Sequence, residues 1–269
     1  MALFRTAYNR FRFWLSSRNN PLFLGLYAHI LTPKPGTLAH LVAQYSRRQG
    51  RLFTLVQIGA NDGFNNDPVH KRIKIDGWRG VLLEPQREVF DRYLTRLYRR
   101  DPGIQLVCAA LGPEDGHRPL YKLSFSQARW ATGLATFDRA RIEAAAVSDY
   151  VREQAEKEGV TLPAAPADRI AVEEVPVISA ASLRQRYELD RIDLLQIDTE
   201  GYDFEVIKLF DLGHTQPGMI VYEHCHLSPE DAEACLKHLH GHGYQTRAFG
   251  TNTCALRPPF TGLEAYFSA

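Results

Sequence analysis

The chain predicts an α/β fold, a mostly parallel β-sheet with helices on both faces. Two observations carry this. From residue 51 onward, short apolar runs alternate with stretches of helical spacing. The runs are continuously apolar and rich in β-branched residues, as expected of strands buried on both faces. The size fits: 269 residues suffice for one large domain, with 45% hydrophobic and 23% charged residues, ordinary values for a folded soluble protein.

The elements follow in order. RLFTLVQIGA (51–60) reads as the first buried strand, and Asp67-Pro68 as a helix start, with Asp as N-cap and Pro at the first helical position. WRGVLLEP (78–85) is the second strand. REVFDRYLTRLYRR (87–100) places Val89, Phe90, Tyr93, Leu94 and Leu97 on one side of a helix. IQLVCAAL (104–111) is a third strand and RPLYKLS (118–124) an extra one. Residues 126–175 break the rhythm as a helical insert: 138–159 reads as helix and 161–169 as a Pro/Ala linker. The sheet pattern then resumes. EEVPVISAASL (173–183) is a strand leading into a helix, RIDLLQID (191–198) the fourth core strand, TEGYDFEVIKLF (199–210) helix, and PGMIVYEH (217–224) the fifth strand. SPEDAEACLKHLHGHG (228–243) is a helix capped by Ser228, with Pro229 first and Gly241 or Gly243 closing it. Residues 244–258 make a hairpin-like end. Ligands in such sheets sit at the carboxyl ends of the strands.

Charge is unevenly spread. Residues 1–61 contain no Asp or Glu and eight Lys or Arg, so with a chain total of +1 the remainder carries +1 − 8 = −7. The first thirty residues also hold Phe4, Tyr8, Phe11, Phe13, Trp14, Phe23 and Tyr27. Residues 1–50 therefore read as a basic, aromatic helical arm ahead of a domain spanning 51–269. Such an arm lies on an anionic membrane, contacts an acidic partner, or packs on its own domain or a sister subunit as a homodimer clasp. No apolar run reaches the length of a membrane span. The four cysteines form no CxxC pair, which with the above gives a reducing, cytoplasmic expectation, with peripheral membrane contact through the arm as the variant. The basic patch is confined to the arm and the rest is acidic, so no nucleic-acid partner is expected.

Three motifs carry chemistry. Gly59-Ala60-Asn61-Asp62-Gly63 turns tightly after the first strand, without the third glycine of a dinucleotide fingerprint. An acid there repels a pyrophosphate and suits an ammonium, which points to S-adenosylmethionine over NAD; the bland alternative is a plain Asp-Gly turn. Glu84 ends the second strand, where an acid bonds ribose hydroxyls or serves the following helix N-terminus. Asp198 and Glu200 follow the fourth strand, and in YEHCH His224 and His226 would share one side of a strand. Together with Asp198 they could bind a metal or supply a base; otherwise they are a hydrogen-bonded pair at a strand end.

VQIGANDG, VLLEPQ, CAALGPEDG, VPVISAASL, LLQIDTEGYDFEVI and MIVYEH occur in the order found in the FkbM family of adenosylmethionine-dependent O-methyltransferases. The chain resembles that family from about Thr54 to Leu256, IDTEGYD being the specific match. The resemblance implies a class I methyltransferase, a Rossmann-like sheet of seven strands with one antiparallel. It also implies methyl transfer to a hydroxyl of a sugar, glycan or related small-molecule metabolite. On that reading the cofactor contacts are Gly59, Ala60, Asn61, Asp62, Gly63, Glu84, Pro85, Gln86, Ala109, Ala110 and Asp198. His224 is the first candidate base and Asp198 the second, with both as candidate ligands should a divalent metal take part. Trp130, Thr132, Glu200 and His226 are candidate acceptor contacts. Two other classes stay open: a methyltransferase-like module that only binds, and a nicotinamide oxidoreductase, which the missing fingerprint disfavours.

Overall fold

A computed structural model describes residues 2–50 and 52–267. Three helices come first: α1 (Ala2–Ser17), α2 (Pro21–His29) and α3 (Leu38–Arg48). Asn20 caps α2 by accepting from the Phe23 N–H at 3.1 Å, and Thr37 caps α3 by accepting from the His40 N–H at 3.3 Å. The core strands are β1 (Thr54–Ile58), β2 (Arg79–Leu83), β3 (Ile104–Val107), β7 (Leu194–Ile197), β8 (Met219–Glu223), β9 (Gln245–Phe249) and β10 (Asn252–Leu256). They form one seven-stranded sheet in the order β3-β2-β1-β7-β8-β10-β9. Only β10 runs against its neighbours β8 and β9. Chain order reverses between β1 and β7, the place where such a sheet opens a crevice.

Alternate residues of the buried strands serve two cores. Val56, Ile58, Val81, Leu195 and Ile197 face one layer with Phe204 and Ile207. Leu55, Leu82, Leu194 and Val221 face the other, where α3 contributes Leu41 and Val42. Thus α3 packs directly on the sheet, while α1 and α2 dock further out. Ser16 Oγ lies 2.9 Å from His70 Nε2, and Lys74 Nζ donates to Asn19 Oδ1 at 2.9 Å. Phe23 and Tyr27 are buried, and Phe13 packs edge-on against Phe64 at 5.6 Å.

Several expected elements differ in detail. Residues 104–111 are two strands: β3 ends at Val107, and β4 (Ala110–Gly112) joins a second sheet with β5 (Gly116–Leu123) and β6 (Ile170–Ser179), ordered β4-β6-β5. Periodicity cannot see this switch, because both segments are apolar. The helix expected from Asp67-Pro68 begins at His70 as α4 (His70–Asp76); Asp67 Oδ1 still caps it, accepting from the N–H of Val69 and of His70, both at 2.8 Å. The 87–100 helix is α5 (Arg87–Val89) and α6 (Thr95–Tyr98) joined by a wider π turn, Phe90–Leu94. The insert emerges between β5 and β6 and carries α7 (Arg129–Thr132), α8 (Arg139–Ala146) and α9 (Asp149–Glu158) on its own small core. The single helix expected over 138–159 breaks because Ser148 turns out to cap α9, accepting from the Val151 N–H at 3.3 Å. The remaining helices are α10 (Ala180–Arg186), α11 (Asp203–Leu209) and α12 (Pro229–Gly241), the last capped by Ser228 as expected. No helix among the described residues is long and apolar enough to cross a membrane.

Candidate functional site

A cleft opens at the carboxyl ends of β1, β2 and β7, roofed by α7 and the segment after it. The loop after β1 forms its floor. Gly59 sits at φ +78°, and a Cβ there would lie 1.9 Å from the Asp198 carbonyl oxygen, so the loops after β1 and β7 touch only because position 59 lacks a side chain. The N–H groups of Gly59 and Ala60 both donate to the Leu83 carbonyl, at 3.1 and 2.8 Å, which ties this loop to the end of β2.

Glu84 follows β2 and is 2% exposed. One oxygen accepts from the Asn61 N–H at 2.8 Å; the other accepts from the Gln86 N–H at 2.9 Å and its side-chain amide at 3.2 Å. Burial nonetheless pushes its carboxyl up to about 7. Gln86 also donates to the Thr132 carbonyl at 2.9 Å, which latches α7 over the cleft. Ala109, Ala110, Leu111 and Leu120 supply an apolar wall beside Glu84.

The opposite wall is acidic. Asp198 and Glu200 line the cleft, and carboxylate oxygens of Asp198, Glu200 and Glu223 lie within 4.8 Å of one another. Burial first, then the charges of its neighbours Glu223 and Asp203, raise Asp198 to about 7. Burial, then Asp198 and Glu223, raise Glu200 to about 8. His226 Nε2 lies 3.1 Å from Glu200 and 3.4 Å from Glu223. The loop is held by Asp203, wholly buried, which accepts from Thr199 Oγ1 at 2.8 Å and from the Glu223 N–H at 3.0 Å. That side chain joins the ends of β7 and β8. Glu200 itself stands at φ +53°, unusual for a non-glycine residue.

Of the residues singled out in the sequence, Gly59, Asn61, Glu84, Pro85, Gln86, Ala109, Ala110, Thr132, Asp198 and Glu200 line the cleft. Others do not. Asp62 turns back on its own loop, accepting from the N–H of Phe64 and Asn65, both at 2.9 Å, and from the Asn65 amide at 2.7 Å. Gly63 is backed by Leu94 and Tyr98, and Ala60 is packed in the core. His224 and His226 do not share a strand face, because β8 ends at Glu223; His224 Nδ1 pairs with Thr253 Oγ1 at 2.9 Å on β10. His224 thus falls outside both groups of side chains close enough to hold an ion, Asp198/Glu200/Glu223 and Glu223/Cys225/His226. The acid group itself was not foreseen. Trp130 packs with Phe125 inside the insert, and Phe137 and Tyr202 are the aromatics that line the cleft.

Sequence reasoning also missed Arg129, the only cation lining the cleft among the described residues. Its Nε is buried without a hydrogen-bond partner and lies 4.0 Å from Asp62. Nothing in the local pattern marked it, since its role depends on the insert folding back over the sheet.

A sheet with this strand order and a cleft at the β1/β7 reversal define a Rossmann-like α/β architecture. The Methyltransferase FkbM domain model matches residues 57–246, and the chain belongs to that family of methyltransferases. Among solved structures it is similar to the methyltransferase FkbM of Methylobacillus flagellatus (14% identity, TM-score 0.44), covering 79% of this chain and 47% of that one. The chain thus spans about half the length of that relative. It is also similar to a precorrin-6y C5,15-methyltransferase of Geobacter metallireducens (11%, TM-score 0.40, covering 84% and 94%). A third is the O-methyltransferase TomG of Streptomyces achromogenes, solved with SAM (13%, TM-score 0.40, covering 92% and 90%). With TM-scores this low, the family assignment rests on the domain match. No curated protein matches the chain.

Proposed function

We propose that the chain uses S-adenosylmethionine to methylate a hydroxyl of a sugar, glycan or related metabolite. The observation that carries this is the cleft's charge pattern: three buried or half-buried acids, Glu84, Asp198 and Glu200, against one cation among the described residues, Arg129. The donor has a ribose diol, an ammonium and a sulfonium, but only one anionic group, its carboxylate. Glu84, fixed by three N–H donors, keeps acceptor capacity for a diol. Ala109, Ala110 and Leu120 give an apolar wall that suits an adenine ring. Asp198 suits the cationic end. Arg129, with a buried N–H that lacks a partner, suits the carboxylate. The residues present therefore fit the group.

When bound, the donor supplies a methyl carbon open to in-line displacement. The chain must orient an acceptor hydroxyl toward it and take its proton. Glu200 is placed for that: it lines the cleft, its carboxyl is raised to about 8, and His226 3.1 Å away can pass the proton outward. Phe137 and Tyr202, with ring centroids 5.9 Å apart, offer a surface for a sugar ring. A second reading places a divalent cation on Asp198, Glu200 and Glu223, whose oxygens are near enough to share one; loss of turnover on chelation, restored by Mg²⁺, would favour it.

Calorimetry with adenosylhomocysteine is the test. Wild type is expected to bind, and Glu84→Gln to bind more weakly by about 1.5–3 kcal/mol, the worth of hydrogen bonds to a charged group. Failure of wild type to bind would leave a methyltransferase-like binding module, and preferential binding of NADH a nicotinamide enzyme.

A further inference from the structure

A second concavity, a groove between α1 and the helical run 87–98, adjoins the cleft and shares Asn61, Arg129 and Thr132 with it. Six arginines line the groove: Arg10, Arg18, Arg92, Arg96, Arg99 and Arg129. Among the described residues Asp62 is the only acid in that lining, and its oxygens already serve the loop after β1. Arg92 reaches Glu88 only at 4.0 Å, and Arg18 lies over the Trp14 ring at 4.6 Å. Arg10, Arg96 and Arg99 make no ion pair among the described residues. Arg92, Arg96 and Arg99 all line the groove from one short stretch of chain, so like charges crowd there, an arrangement that costs stability unless something neutralises it. Solubility would scatter such charges; here two separate segments bring them to one concave wall.

We propose that this groove holds a phosphate or diphosphate group of the methyl acceptor, while the acceptor's hydroxyl lies in the adjoining cleft. Guanidinium forks match phosphate oxygens two at a time. The two spaces also share Thr132, a candidate acceptor contact, so one molecule can reach from the cleft into the groove. The basic surplus of the N-terminal residues then has a role at the active site: α1 is one wall of the acceptor site. The proposal rests on the methyltransferase reading. The same chemistry comes from two sources, a soluble nucleotide-linked sugar or a lipid-linked one.

The experiment titrates inorganic pyrophosphate, UDP-glucose and phosphatidylglycerol vesicles into protein saturated with adenosylhomocysteine, at low and at physiological salt. Pyrophosphate binding that weakens with salt, and by about tenfold or more in Arg96→Glu/Arg99→Glu, is the expected result, tenfold being roughly the loss of one charge-assisted hydrogen bond. UDP-glucose binding with the same sensitivity assigns the soluble source. Vesicle binding with that sensitivity, without UDP-glucose binding, assigns the lipid-linked one. Arg96→Gln/Arg99→Gln repeats the test without reversed charge, and retained adenosylhomocysteine binding reports that each variant is folded. Two results overturn the proposal: no pyrophosphate binding by protein that does bind adenosylhomocysteine, or binding unchanged in both double variants. Arginine-dependent pyrophosphate binding by protein that does not bind adenosylhomocysteine overturns the acceptor role through failure of the methyltransferase reading, and the groove is then an anion site of another kind.

Discussion

The two walls of the cleft each hold a carboxyl group pushed toward neutrality, yet they are built differently. Glu84, raised to about 7, accepts three N–H bonds from Asn61 and Gln86, and its oxygens are fixed by the loops around them. Glu200, raised to about 8, has other acids for neighbours and one imidazole in reach. Burial is the first cause on both sides. The difference lies in what remains: on the β2 wall hydrogen bonds to the ionised form oppose the shift, and on the β7 wall like charges add to it. A carboxylate held by N–H donors is suited to presenting a fixed acceptor surface. A carboxylate among carboxylates is suited to taking up a proton, because the pair cannot comfortably both ionise.

The sharpest way to break this contrast is to neutralise the acidic wall. Glu200→Gln is expected to lower turnover by about 10²–10⁴-fold, the scale of general base catalysis, with adenosylhomocysteine affinity little changed. Turnover is read as adenosylhomocysteine release over a panel of hydroxyl-bearing sugars and sugar phosphates. His224→Ala, whose imidazole is turned to Thr253, should cost far less. Equal losses in the two variants would show that the proton leaves by a route the geometry does not indicate.

The β2 wall was legible in the sequence and the β7 wall only partly so. Glu84 and the Gly59 turn follow directly from strand ends, since each lies within a few positions of an apolar run, and Gln86 came with the family resemblance. Five of the core strands were readable from such runs, whereas β9 and β10 were expected only as a hairpin-like end. Asp198 and Glu200 were found by the same rule. Their partners were not: Glu223 ends the next strand, β8, and His226 follows it, and which imidazole faces the acids depends on β8 stopping at Glu223. Asp203, in the middle of the most recognisable motif, proves to be the loop's internal anchor, accepting bonds from both strand ends. Arg129 and the switch from β3 to β4 are tertiary facts, without local periodicity to announce them. The same holds for the arm, whose aromatics divide between buried Phe23 and Tyr27 and exposed Tyr8, Phe11 and Trp14.

The walls meet at Gly59, so a substitution there tests whether their spacing is fixed by the backbone. Ala at this position must hold φ +78° and place a methyl group 1.9 Å from the Asp198 carbonyl oxygen. Strained backbone of this kind costs of order 1–3 kcal/mol, and the contact forces the β7 loop outward in addition. Gly59→Ala should therefore lower the melting temperature and weaken adenosylhomocysteine binding together. A variant that loses stability but binds normally would mean that the two walls can separate without consequence for the ligand.

The smallest effect concerns pH, and it separates the walls by charge. Ordinary carboxyl values are 4.5 for Glu and 3.8 for Asp; in the folded protein Glu84 and Asp198 stand near 7 and Glu200 near 8. Between about pH 4.5 and 8 the folded state thus binds more protons than the unfolded one, and these groups make the unliganded protein less stable as pH rises through that window. A cationic ligand reverses the sign, because it favours the ionised acids. S-adenosylmethionine carries the sulfonium charge and adenosylhomocysteine does not, while both carry the same ribose and amino-acid end. If the acidic wall faces the sulfur, affinity for S-adenosylmethionine should rise from pH 6 to pH 8 more steeply than affinity for adenosylhomocysteine, by a few-fold and at most about tenfold per unit for each proton released. Glu84, facing the ribose, would contribute equally to both ligands and cancel in the ratio. Calorimetry at the two pH values, with a chelator present to keep metal ions off the acids, measures that ratio. A ratio that does not change with pH would place Asp198 and Glu200 out of range of the sulfur and confine their part to the acceptor.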